Sequence, residues 1–386
     1  MLGNGTIVPC QRESPTTMPP SRLKPIRRLA AIGLGVLCGC QPAPPIKVGF
    51  IGGLSGRVSE LAIDGRNGAQ LAVETLDARS GPRFELHIHD DSHLSTPAAD
   101  AIDAAVDEGD AFAVGPMTSV DARSLVAQAA RRRLVLISPT ANTDDLLGID
   151  DYFFRVIPSA GGGAEQFAQA AMARGLRSAA VMTDSRNLVY SEAFAQVFAS
   201  RYKALGGSVG KVAHDEDVLN PDYAKMATEL LSTHPQVVLL VCSAPDASVV
   251  ARQLRRLDPG VQLEIASWAA NLKLLQLGGQ AMEGALVLQA LDLDSQAPAY
   301  LDFRQRYTAR FGDLPSQAAV FSYEAVILGA EGLARKMDDQ SLRDALRVPG
   351  RWPGLQQAVI LDRFGDSAGR FRLSEVRDGR FVMLPS

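Results

Sequence analysis

Several metal-ligating side chains lie within one short segment of the chain. His87 and His89 alternate along a predicted strand, and Asp90, Asp91 and His93 follow them. Alternate residues of a strand share a face, and imidazole and carboxylate groups bind Zn²⁺. A transition-metal site needs three or four converging ligands, however, and the two aspartates more readily end the strand and cap the next helix. We therefore expect no metal and no cofactor.

A second set of polar side chains follows two predicted strands. Ser119 stands after the strand 111–115, and Thr140 and Asn142 stand after the strand 134–138. In open α/β sheets, ligands bind beyond the carboxyl ends of strands, where loops expose backbone N–H groups and helix N-termini. Ser, Thr and Asn are also common helix caps. Ligand binding and helix capping both remain open for these residues.

The sequence lacks the motifs of the common hydrolases and nucleotide-binding enzymes. It contains no G-x-S-x-G, no P-loop and no H-E-x-x-H. Cys242, the only cysteine after residue 40, falls inside the apolar segment 237–242, where cysteine is usually a small core residue. We expect neither catalysis nor a disulfide framework.

The first 40 residues have the pattern of an export signal. Basic residues between Arg22 and Arg28 precede an apolar run that ends in Leu37-Cys38-Gly39-Cys40. The run is too short to span a bilayer, and its end resembles the bacterial lipobox, which implies lipid attachment at Cys40. A soluble signal peptide and a short membrane anchor are the alternatives. Residues 41–45 are proline-rich and predict a stiff spacer.

Charge argues against a nucleic-acid partner. The net charge of −4 becomes −8 without residues 1–40, which hold five Lys/Arg and one Glu. An acidic body is a poor partner for phosphate backbones.

We expect a lipid-anchored protein of the cell envelope that faces the periplasm or the outer side of the cytoplasmic membrane.

Two series of alternating strands and helices position the polar loops. The first begins at Ile46, the second follows an extended segment at 152–158, and short connections between elements favour parallel sheets with helices on both faces. The fold class is α/β with two Rossmann-like lobes. We assign residues 46–157 and 285–337 to lobe 1, and 158–284 and 338–386 to lobe 2. Segment 284–289 is expected to be a strand returning to the first lobe, and the last 30 residues predict antiparallel hairpin strands.

Several local motifs, in order, resemble the type I periplasmic binding proteins of the branched-chain amino-acid and amide family. The resemblance rests on the opening strand and helix, two loops and the C-terminal hairpin, namely Ile46–Gly56 with Asn67–Glu74, Ala113–Ser119, Val135–Asn142 and Gly365–Phe381. It implies two lobes joined by a multi-strand hinge.

The resemblance also implies ligand-binding residues. It puts Ser119, Thr140 and Asn142 at ligand positions of the first lobe. Tyr190 corresponds to an aromatic that closes over the ligand. Trp268 stands near the place where amino-acid-binding relatives have an acid for the ligand's ammonium group, but this chain has no acid there. Stacking on a flat or apolar ligand and packing in the hinge are the two roles open to Trp268. A buried ammonium needs a charge or several acceptors, so an amide or an aromatic acid is as suitable a ligand as an amino acid.

The resemblance implies a monomeric solute receptor that binds a small polar molecule between its lobes and delivers it to the permease of an ABC transporter. The alternative is a lipoprotein that uses the same fold to regulate an envelope enzyme or a sensor. An empty or collapsed cleft would favour that alternative, as would a large exposed apolar patch on one lobe, whereas a polar, ligand-sized cleft at the lobe interface would favour the receptor.

Overall fold

The computed structural model describes residues 43–55, 59–91, 98–214 and 220–385. The predicted signal peptide, Cys40 and His93 lie outside these ranges. From Ala43 onward the chain forms one compact unit. Among the described helices, none combines the length and the apolar character needed to cross a membrane.

The first sheet is wholly parallel and has five strands in the order β2-β1-β3-β4-β5. Its strands are β1 (Ile46–Ile51), β2 (Phe84–His89), β3 (Phe112–Val114), β4 (Leu136–Ser138) and β5 (Phe153–Arg155). The helices between them are α1 (Ser59–Asp77), α2 (Ala98–Glu108) and α3 (Ser119–Arg132). The extended segment predicted at 152–158 therefore begins as a strand of this sheet, because β5 pairs with β4.

The second sheet has seven strands in the order β14-β13-β10-β9-β8-β6-β7. Its parallel part contains β6 (Ser178–Thr183), β7 (Ser208–His214), β8 (Val237–Val241), β9 (Gln262–Ile265) and β10 (Leu286–Gln289). The helices in this part of the chain are α4 (Ala160–Ala173), α5 (Leu188–Ala204), α6 (Tyr223–Leu231), α7 (Ala244–Leu257) and α8 (Leu272–Gly278).

The rest of the chain adds two strands to the second sheet and forms a separate strand pair. It contains α9 (Pro298–Phe311), α10 (Gln317–Arg335), α11 (Leu342–Leu346), β11 (Gly350–Trp352), β12 (Val359–Leu361), β13 (Arg372–Arg377) and β14 (Arg380–Met383). β13 and β14 are antiparallel additions to the second sheet, as the hairpin pattern predicts, and β11 and β12 form a separate pair.

One strand was assigned to the wrong sheet. Segment 284–289 does form a strand, β10, but Leu286 and Val287 pair with Glu264 and Ile265 of β9. β13 covers its other edge. A buried apolar run predicts a central strand without saying which sheet receives it, so the assignment of this strand to the first lobe is wrong. The remaining limits of the lobes stay predictions.

Helices α1 and α10 pack against each other on the first sheet. α10 is buried along almost its whole length, as its apolar composition requires. Gly68 of α1 permits the close approach, because a Cβ there would lie 2.0 Å from the carbonyl oxygen of Ala319. The packing fixes the N-terminus of α10, and with it Gln317, relative to the first sheet.

Candidate functional site

A narrow cleft lies between residues of the first sheet's lobe and residues of the second. Its enclosed space is about 20 Å³, and the empty space rises to about 310 Å³ when the open mouth is included; its walls combine polar and apolar surface and carry no charged side chain. The lining residues are Leu61, Met117, Thr140, Asn142, Ile157, Asn187, Tyr190, Ser267, Trp268 and Gln317. Four of the five ligand-binding residues predicted from the sequence are among them.

The first lobe presents the loop after β4. Ser138 at the end of β4 donates from Oγ to the Pro116 carbonyl at 2.7 Å and accepts from the amide of Ala141 at 2.9 Å. Thr140 donates from Oγ1 to the Met117 carbonyl at 2.5 Å. These bonds hold the loops after β3 and β4 together, and they leave the Thr140 hydroxyl oxygen as an acceptor for a ligand.

Ser119, the fifth predicted residue, is not among the residues that line this cleft. It begins α3 and is 1 % exposed. Thr118 is the N-cap of that helix, since its Oγ1 accepts from the amide of Asp121 at 3.2 Å. The capping that the sequence allowed for Ser119 thus belongs to its neighbour, and ligand binding by Ser119 stays a prediction.

The second lobe presents two turns that follow parallel strands. Asn187 and Tyr190 come after β6, where Asp184 caps a short 3₁₀ turn by accepting from the amide of Arg186 at 2.9 Å. Trp268 lies in the turn after β9 and meets the ring of Tyr190 edge to face, with centroids 6.2 Å apart. Both turns stand at carboxyl ends of strands, as the open α/β arrangement requires.

Three buried polar atoms of the cleft have no hydrogen-bond partner in the described part of the chain. They are Oδ1 of Asn187, the hydroxyl of Tyr190 and Oε1 of Gln317. The Tyr190 hydroxyl faces Ser267 and the backbone of Trp268 without a hydrogen bond of standard geometry, and burial raises the pKa of this phenol. Buried polar groups are normally satisfied, so these three atoms call for a ligand or for water.

Gln317 and Asn187 were missed in the sequence. Gln317 is 6 % exposed and is the first residue of α10, and its Nε2 donates to the Ser267 carbonyl at 2.7 Å. A polar residue at the start of an otherwise apolar helix is the signal that would have identified it. Asn187 carried no comparable signal, because its burial depends on the turn after β6.

The cleft continues outward into a more acidic region. Asp64 of α1 lines this outer part, where burial raises the pKa of its carboxyl. Glu60 pairs with Lys273 of α8, with 2.6 Å between Oε1 and Nζ. This ion pair joins the two lobes at the mouth of the cleft, while the inner wall carries no formal charge.

Two lobes with parallel sheets and a polar cleft between them define a two-lobed binding protein. A family model for periplasmic binding proteins matches residues 45–380, and the chain belongs to this family. The family consists of binding proteins, so the prediction that the chain is not an enzyme is confirmed, as are the fold class and the resemblance drawn from the sequence.

Known relatives agree with this assignment. The Leu/Ile/Val-binding protein BraC3 of Rhizobium johnstonii is 25% identical over 352 residues, which are 87% of this chain and 93% of that protein. A leucine-binding protein from Thermotoga maritima has a similar structure, with a TM-score of 0.78 and 21% identity over 88% of this chain and 98% of that one. A solute-binding protein from R. palustris, solved with benzoate, has a TM-score of 0.79 and 19% identity over 88% and 96% of the two chains.

Proposed function

We propose that the chain is the extracytoplasmic receptor of an ABC transporter and that it captures a small polar solute between its lobes. Family membership and the position of the cleft support this proposal. The relatives whose names mention leucine, isoleucine, valine or benzoate suggest the size of the solute. The permease that receives it, attachment to the membrane through Cys40 and a monomeric state are parts of the same proposal.

The observation that carries the proposal is the set of unsatisfied polar atoms inside the cleft. Asn187 and Tyr190 belong to one lobe and Gln317 to the other. A buried polar group without a partner costs on the order of 1–3 kcal/mol. One ligand that reaches all three groups would remove that cost on both lobes at once, and it would therefore stabilise the closed arrangement more than the open one.

The lining also restricts the chemistry of the solute. The amide oxygens of Asn187 and Gln317 accept hydrogen bonds, while Leu61, Ile157 and Trp268 offer apolar contact. The inner wall has no carboxylate for an ammonium and no cation for an acid. A charge buried there would have to be met by neutral dipoles alone. We therefore expect neutral solutes with N–H donors, such as carboxamides, to bind more tightly than the corresponding charged amino acids.

A thermal-shift screen of residues 41–386 tests the proposal. The compounds are leucine, isoleucine, benzoate and the matching neutral amides without an ammonium group, which are 4-methylpentanamide, 3-methylpentanamide and benzamide. A ligand at 100 times its Kd stabilises the native state by about 2.7 kcal/mol, which raises Tm measurably. The Trp352→Phe variant leaves Trp268 as the only tryptophan, so its fluorescence reports binding in the cleft directly.

Each outcome has a defined meaning. A saturable rise in Tm supports a solute receptor if it is lost in Tyr190→Phe or Asn187→Leu. The control variant Gln305→Leu, on the exposed face of α9, should keep the rise in Tm. Failure of every compound across a broader library of acids, amides and amino acids would contradict it and favour the regulatory protein-interaction alternative. Labelling with a radioactive fatty acid, lost in Cys40→Ser, tests the lipid anchor separately.

A further inference from the structure

Two histidines of an edge strand converge on one buried carboxylate, away from the cleft. His87 and His89 lie on β2, at the edge of the first sheet, and Asp110 lies between α2 and β3. The Nδ1 atom of His87 is 2.9 Å from Oδ1 of Asp110, and the Nε2 atom of His89 is 2.7 Å from its Oδ2. The two imidazoles therefore occupy both oxygens of the same side chain.

These contacts are not fully explained by hydrogen bonding. The carboxylate of Asp110 is completely buried, and the His87 side chain is 15% exposed. Within the described residues, neither Nδ1 of His87 nor Oδ1 of Asp110 makes a hydrogen bond of standard geometry, although the two atoms are close. A buried carboxylate oxygen and an imidazole nitrogen that face each other in this way are both available to a cation.

The sheet is shaped to receive the carboxylate. Gly49 of β1 is in register with His87 of β2 and with Ala113 of β3. A Cβ on Gly49 would lie 2.6 Å from Oδ2 of Asp110. The glycine therefore leaves a gap in the surface of the sheet, and the Asp110 carboxylate fills it beside both histidines.

A fourth ligand is available at the surface. Oε2 of Glu108 lies 3.1 Å from Nδ1 of His87, and the Glu108 side chain is 53% exposed. Lys47 donates to the main-chain carbonyl of Glu108 at 2.8 Å and leaves the carboxylate free to turn toward the histidines. The cluster is thus open to solvent on the side where Glu108 stands.

We propose that His87, His89 and Asp110 bind one divalent transition-metal ion of the zinc class, with Glu108 or a water molecule as the fourth ligand. Two imidazoles and carboxylate oxygen are a usual donor set for Zn²⁺. With metal–ligand bonds of about 2.0–2.1 Å, tetrahedral donors stand roughly 3.3 Å apart. The donor atoms of His87, His89 and Asp110 all lie within 4.8 Å of one another, so side-chain rotation would bring them to this spacing.

The metal ion would stabilise the first sheet and would not contact the solute. None of these four residues is among those that line the cleft described above. A bound ion would join the edge strand β2 to the segment that leads into β3. The sequence offered Asp90, Asp91 and His93 as partners of the two histidines. In the structure, Asp90 accepts from the amide of Leu54 at 3.0 Å, and the partner is Asp110, which follows His89 by 21 residues.

Metal titration of the full chain tests this proposal. Reactive cysteine thiols are first blocked with N-ethylmaleimide, because Cys10, Cys38 and Cys40 are themselves soft metal ligands. The chain is then stripped with a chelator, titrated with Zn²⁺ in a calorimeter, and titrated with Co²⁺ to record the visible absorption of a tetrahedral site. We expect one equivalent to bind, and its affinity to fall tenfold or more in both His87→Ala and Asp110→Asn.

His214→Ala is the matched control, since His214 is an exposed histidine at the end of a strand in the other sheet. It should leave affinity and stoichiometry unchanged. Absence of a saturable one-equivalent site would overturn the proposal, and so would equal binding by His87→Ala. If Asp110→Asn fails to fold, the metal affinity of His87→Ala still tests the proposal. His87 lies on the edge strand, and the melting curve of His87→Ala without metal shows whether that variant is folded.

Discussion

The side-chain amide of Gln317 donates from Nε2 to the main-chain carbonyl of Ser267 at 2.7 Å. Gln317 begins a helix that packs on the first sheet, and Ser267 follows a strand of the second. The bond therefore crosses the cleft and joins the lobes directly. The oxygen of the same amide, Oε1, stays without a partner in the described part of the chain. One side chain thus holds the lobes together and offers an acceptor to a solute.

Replacement of Gln317 by leucine should weaken solute capture. The variant loses both the bond across the cleft and the acceptor Oε1, and each hydrogen bond contributes about 0.5–1.5 kcal/mol. We expect Kd for the solute found by thermal shift to rise about tenfold. Fluorescence titration in the Trp352→Phe background measures it. Gln305→Leu should leave Kd unchanged, and equal affinities for the two variants would show that Gln317 does not contact the solute.

A buried ion pair fastens the C-terminal segment to the first sheet. Arg155 on β5 is 1 % exposed, and its Nε donates to Oδ1 of Asp366 at 3.0 Å. Asp366 also accepts from the amide of Gly148 at 2.7 Å. Since Asp366 stands between β12 and β13, this pair ties the connection into the second sheet to the edge of the first.

Asp366→Asn should be strongly destabilising. The change leaves a buried guanidinium without its counter-charge, which typically costs about 3–5 kcal/mol. Urea denaturation measures the difference in the free energy of unfolding. Asp302→Asn breaks an exposed ion pair with Arg306 on α9 and should cost less than about 1 kcal/mol. Similar losses in both variants would contradict the structural role given to the buried pair.

The features predicted best are those that depend on neighbouring residues in the sequence, such as helix ends and the loops after strands. The sequence pattern predicts helices over 119–132 and 298–311, and α3 and α9 have these bounds, because Thr118 caps one helix, and Pro298 and Gly312 bound the other. Such caps are readable in a single sequence. The loops that carry Thr140 and Trp268 were also placed correctly. Each follows an apolar strand, and an apolar run of this kind is a local signal too.

Features that depend on distant contacts were predicted less well. The four residues of β10 are all buried, and nothing in their types distinguishes pairing with β9 from pairing in the first sheet. Asp110 was not considered as a partner of His87 and His89, because it reaches them only when β1, β2 and β3 are aligned in register. Gln317 enters the cleft only through the packing of α10 on α1.

Glu324 on α10 makes stability depend on pH. Its side chain is 5 % exposed, and burial raises the pKa of its carboxyl to about 7 from an ordinary value of 4.5. The folded state therefore holds a proton that the unfolded state releases, so this group lowers stability as pH rises from 4.5 to about 7 and has no further effect above. The shift corresponds to roughly 3 kcal/mol.

Glu324→Gln should remove that loss. Glutamine keeps an oxygen that can accept from the amide of Leu355, as Oε1 of Glu324 does at 2.7 Å. We expect the variant to be more stable than the parent at pH 8 and about equally stable at pH 4.5, as measured by urea denaturation at both values. Glu331→Gln, on the same helix beside Arg335, should show no such pH-dependent gain. A constant difference between pH 4.5 and pH 8 would refute this role for Glu324.

Glu264 should be replaceable with a gain in stability. It lies on β9, is 0 % exposed, and neither of its carboxyl oxygens has a hydrogen-bond partner in the described residues. Burial raises the pKa of this carboxyl well above its ordinary value, and its polar atoms lack the hydration that they have in the unfolded chain.

Methionine has a similar length and no strongly polar atom, so Glu264→Met should increase the free energy of unfolding at pH 7 by about 1–3 kcal/mol. The same change at Glu192, on the exposed face of α5, should alter stability by less than about 0.5 kcal/mol. Because Glu264 lies outside the cleft lining, solute binding should be unaffected. A loss of stability in Glu264→Met would instead mean that its carboxyl is satisfied in the core, for example by a buried water.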